Sequence, residues 1–242
     1  YLKQNLSHGA GDAHGVIVDR YGLQEALLEG VLVELQVDTV FGRGSEFAFS
    51  SMVRTTRDWI VLRELGTTVV YARTINEAKE FKRALQKAFD DDGRKAWVQT
   101  VHSGEGEAGE SSNYTKRNFK VMKEFEKYAE EPKEFDYHVV INVELLVEGF
   151  DLPPLASVVF LSAPTDHARF WQMVGRVMRA HPHKAYGRAL VFDHAGHCAD
   201  MYAALVQDYS KNCRSVFHRV IMPTRKEMID SAADTETRKQ CL

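Results

Sequence analysis

From residue 67 onward, short β-branched runs alternate with helix-period segments at a spacing that leaves few ways to fold. TTVVYA (67–72) has the unbroken apolar character of a strand buried on both faces. INEAKEFKRALQKAF (75–89) follows with Ala78, Phe81, Leu85 and Phe89 at helical spacing. The pattern then repeats as AWVQTVH (96–102, strand), YTKRNFKVMKEFEKY (114–128, helix with Phe119, Met122 and Phe125 inward) and YHVVINV (137–143, strand). It continues as ASVVFLSA (156–163, strand), a helix from about Asp166 to Arg179, GRALVFD (187–193, strand) and a helix from about Ala199 to Phe217. Strand–helix alternation of this kind predicts an α/β fold: a parallel sheet with helices on both faces, its chemistry at the C-terminal strand ends.

Residues 1–66 read differently. HGVIVDRYGLQEALLEGVLVELQVDTV suggests strand, short helix, strand; FGRGSEFAFSS a loop; and MVRTTRDWIVLREL a helix leading into the main sheet.

Composition sets the class but not the function. At 242 residues, 44% hydrophobic and 27% charged, the chain is long enough for one large domain, or one with an appendage. A net charge of -3 carries no global sign of nucleic-acid binding, but the charge is unevenly placed. Between His167 and Phe192 there is no acid, while Arg169, Arg176, Arg179, Lys184 and Arg188 all fall inside. The three cysteines show no CxxC spacing, which points to a reducing, intracellular compartment. No stretch approaches a membrane span, and no membrane partner is expected. A chain opening on Tyr1 reads as a fragment whose upstream domain is missing.

Several motifs compete for a role. HSGEGEAGE contains Gly104-x-Gly106-x-x-Gly109 after a strand, but Glu105, Glu107 and Glu110 would repel a pyrophosphate. His181, His183, His194, His197 and Cys198 lack the spacing of a structural zinc site, so no metal ligand is expected. VEGFDLPPL (147–155) offers Gly149 for close backbone approach and Asp151 as an acceptor, or is a plain turn. QMVGRVMRAHP (172–182) places Arg176 and Arg179 one turn apart on a helix. They either converge on a phosphate or complement the helix C-terminal dipole.

Together these segments resemble the superfamily-two helicases. QMVGRVMRAHP is similar to their motif VI (Gln-x-x-Gly-Arg-x-x-Arg), VEGFDLP to motif V, and TTVVYARTINEAKEF to motif IV. DRYGLQEALLEGVLVEL resembles the segment closing the first RecA-like domain in the RadD-like, mitochondrial branch-migration and restriction-motor branch, and GRALVFDHAG the strand after motif VI.

The resemblance implies residues 1–49 as the end of a first RecA-like domain and linker, 50–220 as the second RecA-like domain, and 221–242 as an extension. It implies a helicase or translocase fuelled by ATP with Mg2+, the magnesium ligands lying on the missing first domain. Indeed no Gly-x-x-x-x-Gly-Lys-Ser/Thr occurs in the chain. By resemblance, Arg179 is the arginine finger, Arg176 its partner and Gln172 a positioning group. Gly149, Asp151 and Gly175 approach ATP. Ala72, Arg73, Thr74, His102, Ser103, Gly104 and Glu148 track nucleic acid, with DNA ahead of RNA. A non-hydrolysing scaffold and the motor arm of a restriction-type nuclease complex are the alternatives, and the resemblance leaves room for a larger complex.

Overall fold

The computed structural model describes residues 26, 29–40, 49–102, 111–130, 135–143, 152, 154–162, 167–182, 184, 188–194 and 217–221. Chain order runs β1 (Glu34–Val40), α1 (Phe49–Leu62), β2 (Thr67–Tyr71), α2 (Ile75–Asp91), β3 (Ala96–His102) and α3 (Ser111–Glu130). It continues as β4 (Tyr137–Val143), β5 (Ser157–Phe160), α4 (His167–Val177), β6 (Arg188–His194) and β7 (Phe217–Ile221). The seven described strands form one sheet in the order β3-β4-β2-β5-β6-β1-β7. Every pairing is parallel, the α/β architecture that the strand–helix alternation predicted and that the RecA-like resemblance of the motifs implied.

Period-two alternation along each strand feeds two separate cores. Val69, Tyr71, Val140, Val158, Phe160, Ala189 and Val191 point to one face, where α3 and α4 supply Val121, Phe125, Phe170, Val174 and Val177. Val70, Val139, Ile141, Val159, Leu190 and Phe192 point to the other, against Trp59 and Ile60 of α1 and the stripe of α2. That stripe is Ala78, Phe81, Leu85 and Phe89, all fully buried; each large side chain contributes about 1.5–3 kcal/mol.

Both ends of α2 are locally coded. Thr74 Oγ1 accepts from the Glu77 amide at 3.1 Å, and Glu77 Oε2 accepts from the Arg73 amide at 2.7 Å. At the other end Gly93 takes φ +67, which lets its amide reach Asp90 O (2.9 Å) while the Arg94 amide reaches Phe89 O (3.0 Å).

Four expectations change. Strand β1 does not belong to a preceding domain: it lies inside this sheet, paired with β6 from Glu34↔Arg188 to Val40↔His194 and with β7. A boundary at residue 49 would therefore cut the sheet. Residues 49–51, expected in a loop, open α1. Phe119 is 61% exposed with the Lys123 ammonium 4.6 Å from its ring centre, because it lies about a third of a turn from Phe125. The inward stripe of α3 is Val121, Phe125 and Ala129. Phe217, expected to end a helix, opens β7, and the rest of that expected helix lies outside the described residues.

A buried histidine adds a pH dependence. His138 stacks on Tyr128 at 4.8 Å, with Trp97 and Phe135 beside it, and its Nδ1 lies 3.3 Å from Gly66 O. Burial holds its pKa below the ordinary 6.5, against the opposing Gly66 contact and Asp136 charge. The unfolded chain thus binds a proton that the folded chain resists. The stability contributed by the neutral ring is complete above the unfolded value of 6.5 and is lost as pH falls below it into the acid range. A His138→Phe variant should lose less stability over that range, read as urea midpoints; an unchanged pH slope would place the titrating group elsewhere.

Candidate functional site

Two groups of candidate residues emerge, the second extending along α4 to the opposite end of the sheet. The first sits where the parallel strands finish. Tyr71, Asn142, Phe160, Asp193 and Thr39 share one level across the sheet, and Ala72–Thr74 and His102 lie just beyond it. Ala72 is buried and its amide donates to Asn142 O at 3.0 Å. Arg73 and Thr74 are exposed, and Thr74 also caps α2. His102 is buried, and its carbonyl accepts from Asn118 Nδ2 at 3.0 Å.

The surroundings of His102 are basic. Its pKa is lowered by burial first, then by the charges of Lys79 on α2 and Arg117 on α3. Lys82, which donates to Gln99 Oε1 at 2.8 Å, is likewise lowered by burial and by Arg117. Lys79, Lys82 and Arg117 were not singled out by their sequence. Each looks like an ordinary solvated helix position, and only the placement of α2 and α3 beside β3 brings them together. Ser103, Gly104, Glu148, Gly149 and Asp151 lie outside the described residues.

The second group belongs to α4. Phe170, Met173, Val174 and Val177 anchor this helix in the core, leaving Gln172 exposed and Gly175 and Arg176 half-buried. A side chain added at Gly175 would meet no atom within 4 Å, so nothing among the described residues requires glycine there. The charge of Arg176 reaches the buried Tyr71 phenol, whose pKa burial raises and Arg176 opposes.

Arg179 departs from the expected arrangement. Helix α4 ends at Val177, and Arg179 stands in an isolated antiparallel bridge with Leu32. The Val33 amide donates to Met178 O at 2.7 Å and the Ala180 amide to Arg179's other neighbour across the bridge, Val31 O, at 3.1 Å. The two arginines are therefore not stacked along one continuous helix. Nor does Arg179 lie at the C-terminal strand edge, as expected. Leu32 precedes β1, so the bridge lies about 23 Å along the strand direction from the level of Thr39. The reason is the crossover: α4 runs back along the sheet face to deliver the chain to the start of β6.

One residue at this end escaped sequence reasoning. Lys184, only 6% exposed, donates its ammonium protons to Val177 O and Arg179 O. Its pKa is lowered to about 8, by burial first and then by the Arg179 charge. A lone lysine in a loop looks solvated; nothing local marks it as a helix cap.

The segment preceding β5 reaches the same end of the sheet. Leu152 and Leu155 are buried, and Thr67 Oγ1, at the start of β2, donates to Pro154 O at 2.9 Å.

This architecture recurs in solved proteins of low sequence identity. Domain 2 of the DEAD-box helicase Mss116p, solved on an RNA duplex, matches at 15% identity and TM-score 0.54, over 85% of this chain and 72% of that one. A fragment described as the HsdR subunit of a type I restriction enzyme from Vibrio vulnificus matches at 17% identity and TM-score 0.56, over 82% of this chain. The DNA-bound Type ISP restriction-modification enzyme LlaBIII matches at 16% and 0.57, over 92%. The chain spans only 38% and 18% of the two restriction-enzyme chains. No curated protein matches the sequence. The family model of the helicase conserved C-terminal domain matches residues 53–181, more than half of the sequence. This chain belongs to the helicase conserved C-terminal domain family.

Proposed function

We propose that the domain is the second motor domain of an ATP-dependent superfamily-two helicase or nucleic-acid translocase, completed by a first RecA-like domain that carries the phosphate-binding loop and the magnesium ligands. The observation that carries this reading is Arg179: its main chain is tied into a bridge and a lysine cap while its side chain is exposed. Together with Arg176, it presents guanidinium groups suited to a polyphosphate. Gly175 supports the same reading. A mid-helix glycine costs about 1 kcal/mol against alanine, and no packing among the described residues accounts for it, which suits close approach by a group from outside. ATP hydrolysis supplies the driving free energy. This domain's share is to place positive charge where negative charge develops on the transferred phosphoryl group. Gln172, exposed on the same helix, would orient these groups, and Asp151 and Gly149 would complete the nucleotide contact.

The opposite edge suits a nucleic-acid backbone. Arg73, Lys79 and Arg117 lie around the ends of β2 and β3 as charges suited to phosphates rather than base edges, so binding should be insensitive to base sequence and steep in salt. Three phosphate contacts give a slope near -2.7 in log K against log salt, or about fortyfold between 50 and 200 mM; a partnering domain steepens it further. Neutralising Arg73, Lys79 and Arg117 together in the complete protein should flatten the slope by about 2.7. The measurement is a binding titration at several salt concentrations on unrelated sequences of equal length. Strong preference for one sequence with little salt dependence would replace the motor reading with a dedicated binding module.

A further inference from the structure

We propose that Lys184 is a positioning residue for Arg179, clamping the end of α4 so that the guanidinium is held out towards the nucleotide. The inference rests on the motor-domain assignment. An α-helix leaves its last carbonyls without intrahelical partners. Here three successive carbonyls are taken by donors from outside the helix: Val177 O and Arg179 O by the Lys184 ammonium, and Met178 O by the Val33 amide. The last helical bond is Met178 N to Val174 O at 3.3 Å. The main chain on both sides of the Arg179 Cα is therefore fixed, while the side chain stays exposed.

An ordinary cap does not need this arrangement. Helix α2 ends on Gly93, which satisfies the same class of carbonyl by backbone geometry alone. At α4 the chain instead buries an ammonium close to the Arg179 cation, accepting both desolvation and like-charge repulsion. Both costs fall at the residue that presents Arg179. A long cationic side chain reaching back from residue 184 ties two carbonyls at once, so it restrains rotation of the arginine's backbone as well as the helix end. An error of about 1 Å in the placement of a reacting group lowers turnover by about a hundredfold.

The test is a double-mutant cycle in the complete protein: Lys184→Met and Lys184→Arg, each alone and combined with Arg179→Ala. The measurements are steady-state ATP turnover, KM for ATP and the urea midpoint. Lys184→Met should lower kcat about tenfold while KM moves less than about twofold. Lys184→Arg, which keeps the charge and reach, should recover most of the loss. In the Arg179→Ala background Lys184→Met should add nothing further, because the group it positions is gone. A folded Lys184→Met protein with kcat within about twofold of wild type overturns the proposal, as does a drop of equal size in the Arg179→Ala background. Where Lys184→Met loses its far-UV helical signal, Lys184→Gln decides on the same two criteria. Near-normal turnover by Arg179→Ala alone removes the motor-domain assignment and the positioning role together. A thousandfold loss there with no effect at Lys184 removes only the latter.

Discussion

Replacing Arg179 with alanine in the complete protein is expected to lower ATP turnover about a thousandfold while leaving ATP binding much less affected. An arginine inserted from a second motor domain opposes charge that accumulates only as the phosphoryl group transfers. Its removal therefore falls on kcat and leaves ground-state affinity nearly intact. Arg179 is exposed, its backbone is held by the Leu32 bridge and the Lys184 ammonium, and alanine disturbs neither. Arg179→Lys should restore only a small part of the rate, because an ammonium lacks the planar fork that meets two phosphate oxygens. Near-normal turnover by the alanine variant would reduce the pair to a helix-end charge. Arg176 should behave differently. It is half-buried and its charge reaches the Tyr71 phenol, so Arg176→Ala should lower the urea midpoint as well as the rate.

Asp38→Ala should be strongly destabilising, by about 3–5 kcal/mol. The Asp38 carboxylate, fully buried, accepts from Trp59 Nε1 at 2.7 Å, Arg63 Nη2 at 2.8 Å and Gln36 Nε2 at 3.1 Å. The Trp59 bond joins β1 to α1, the Arg63 bond joins β1 to the turn after α1, and the Gln36 bond lies within β1; Trp59 also stacks on Phe192 of β6 at 4.9 Å. Alanine would strand an indole N–H and a carboxamide in the core and leave a guanidinium without its counter-charge. Arg63 is 21% exposed and keeps some water, which places the loss nearer 3 than 5 kcal/mol. Against a typical total of about 5–15 kcal/mol, that is a large fraction. Trp59→Phe, which keeps the stacking and drops one hydrogen bond, should lose about 1 kcal/mol plus the cost of the unfilled carboxylate position. The readout is the urea midpoint at constant slope. A shift below about 1 kcal/mol for Asp38→Ala would mean that water reaches the carboxylate site.

What the sequence made legible divides along a physical line. Strands such as TTVVY and YHVVINV carry unbroken β-branched runs, and the stripe of α2 lies on one clean helical face, so local pattern and tertiary role agree. The end of α4 was not legible. Met178, Arg179 and Ala180 have respectable helix propensity, and what stops the helix is a pairing with Leu32, almost 150 positions earlier in the chain. Strand β1 was misplaced for a related reason: ELQVDTV reads as a strand, but no local feature tells which sheet it joins. Motif order likewise identified the family's segments without revealing that Ala72–Thr74 and Arg179 occupy opposite ends of the sheet. Lys79, Arg117 and Lys184 acquire meaning only from their neighbours in space.

The Leu32–Arg179 bridge has a consequence for how this domain tolerates sequence drift. Its bonds run between amides and carbonyls, so they are blind to which side chains stand at 31, 32 and 33. Leu32 and Val33 are only partly buried, and exchange for other strand-compatible residues would leave the grip on the arginine's backbone in place. Proline at 33, which has no N–H to give Met178 O, would break it. The stretch that steadies the main chain around Arg179 can thus exchange one strand-compatible side chain for another and keep its hold.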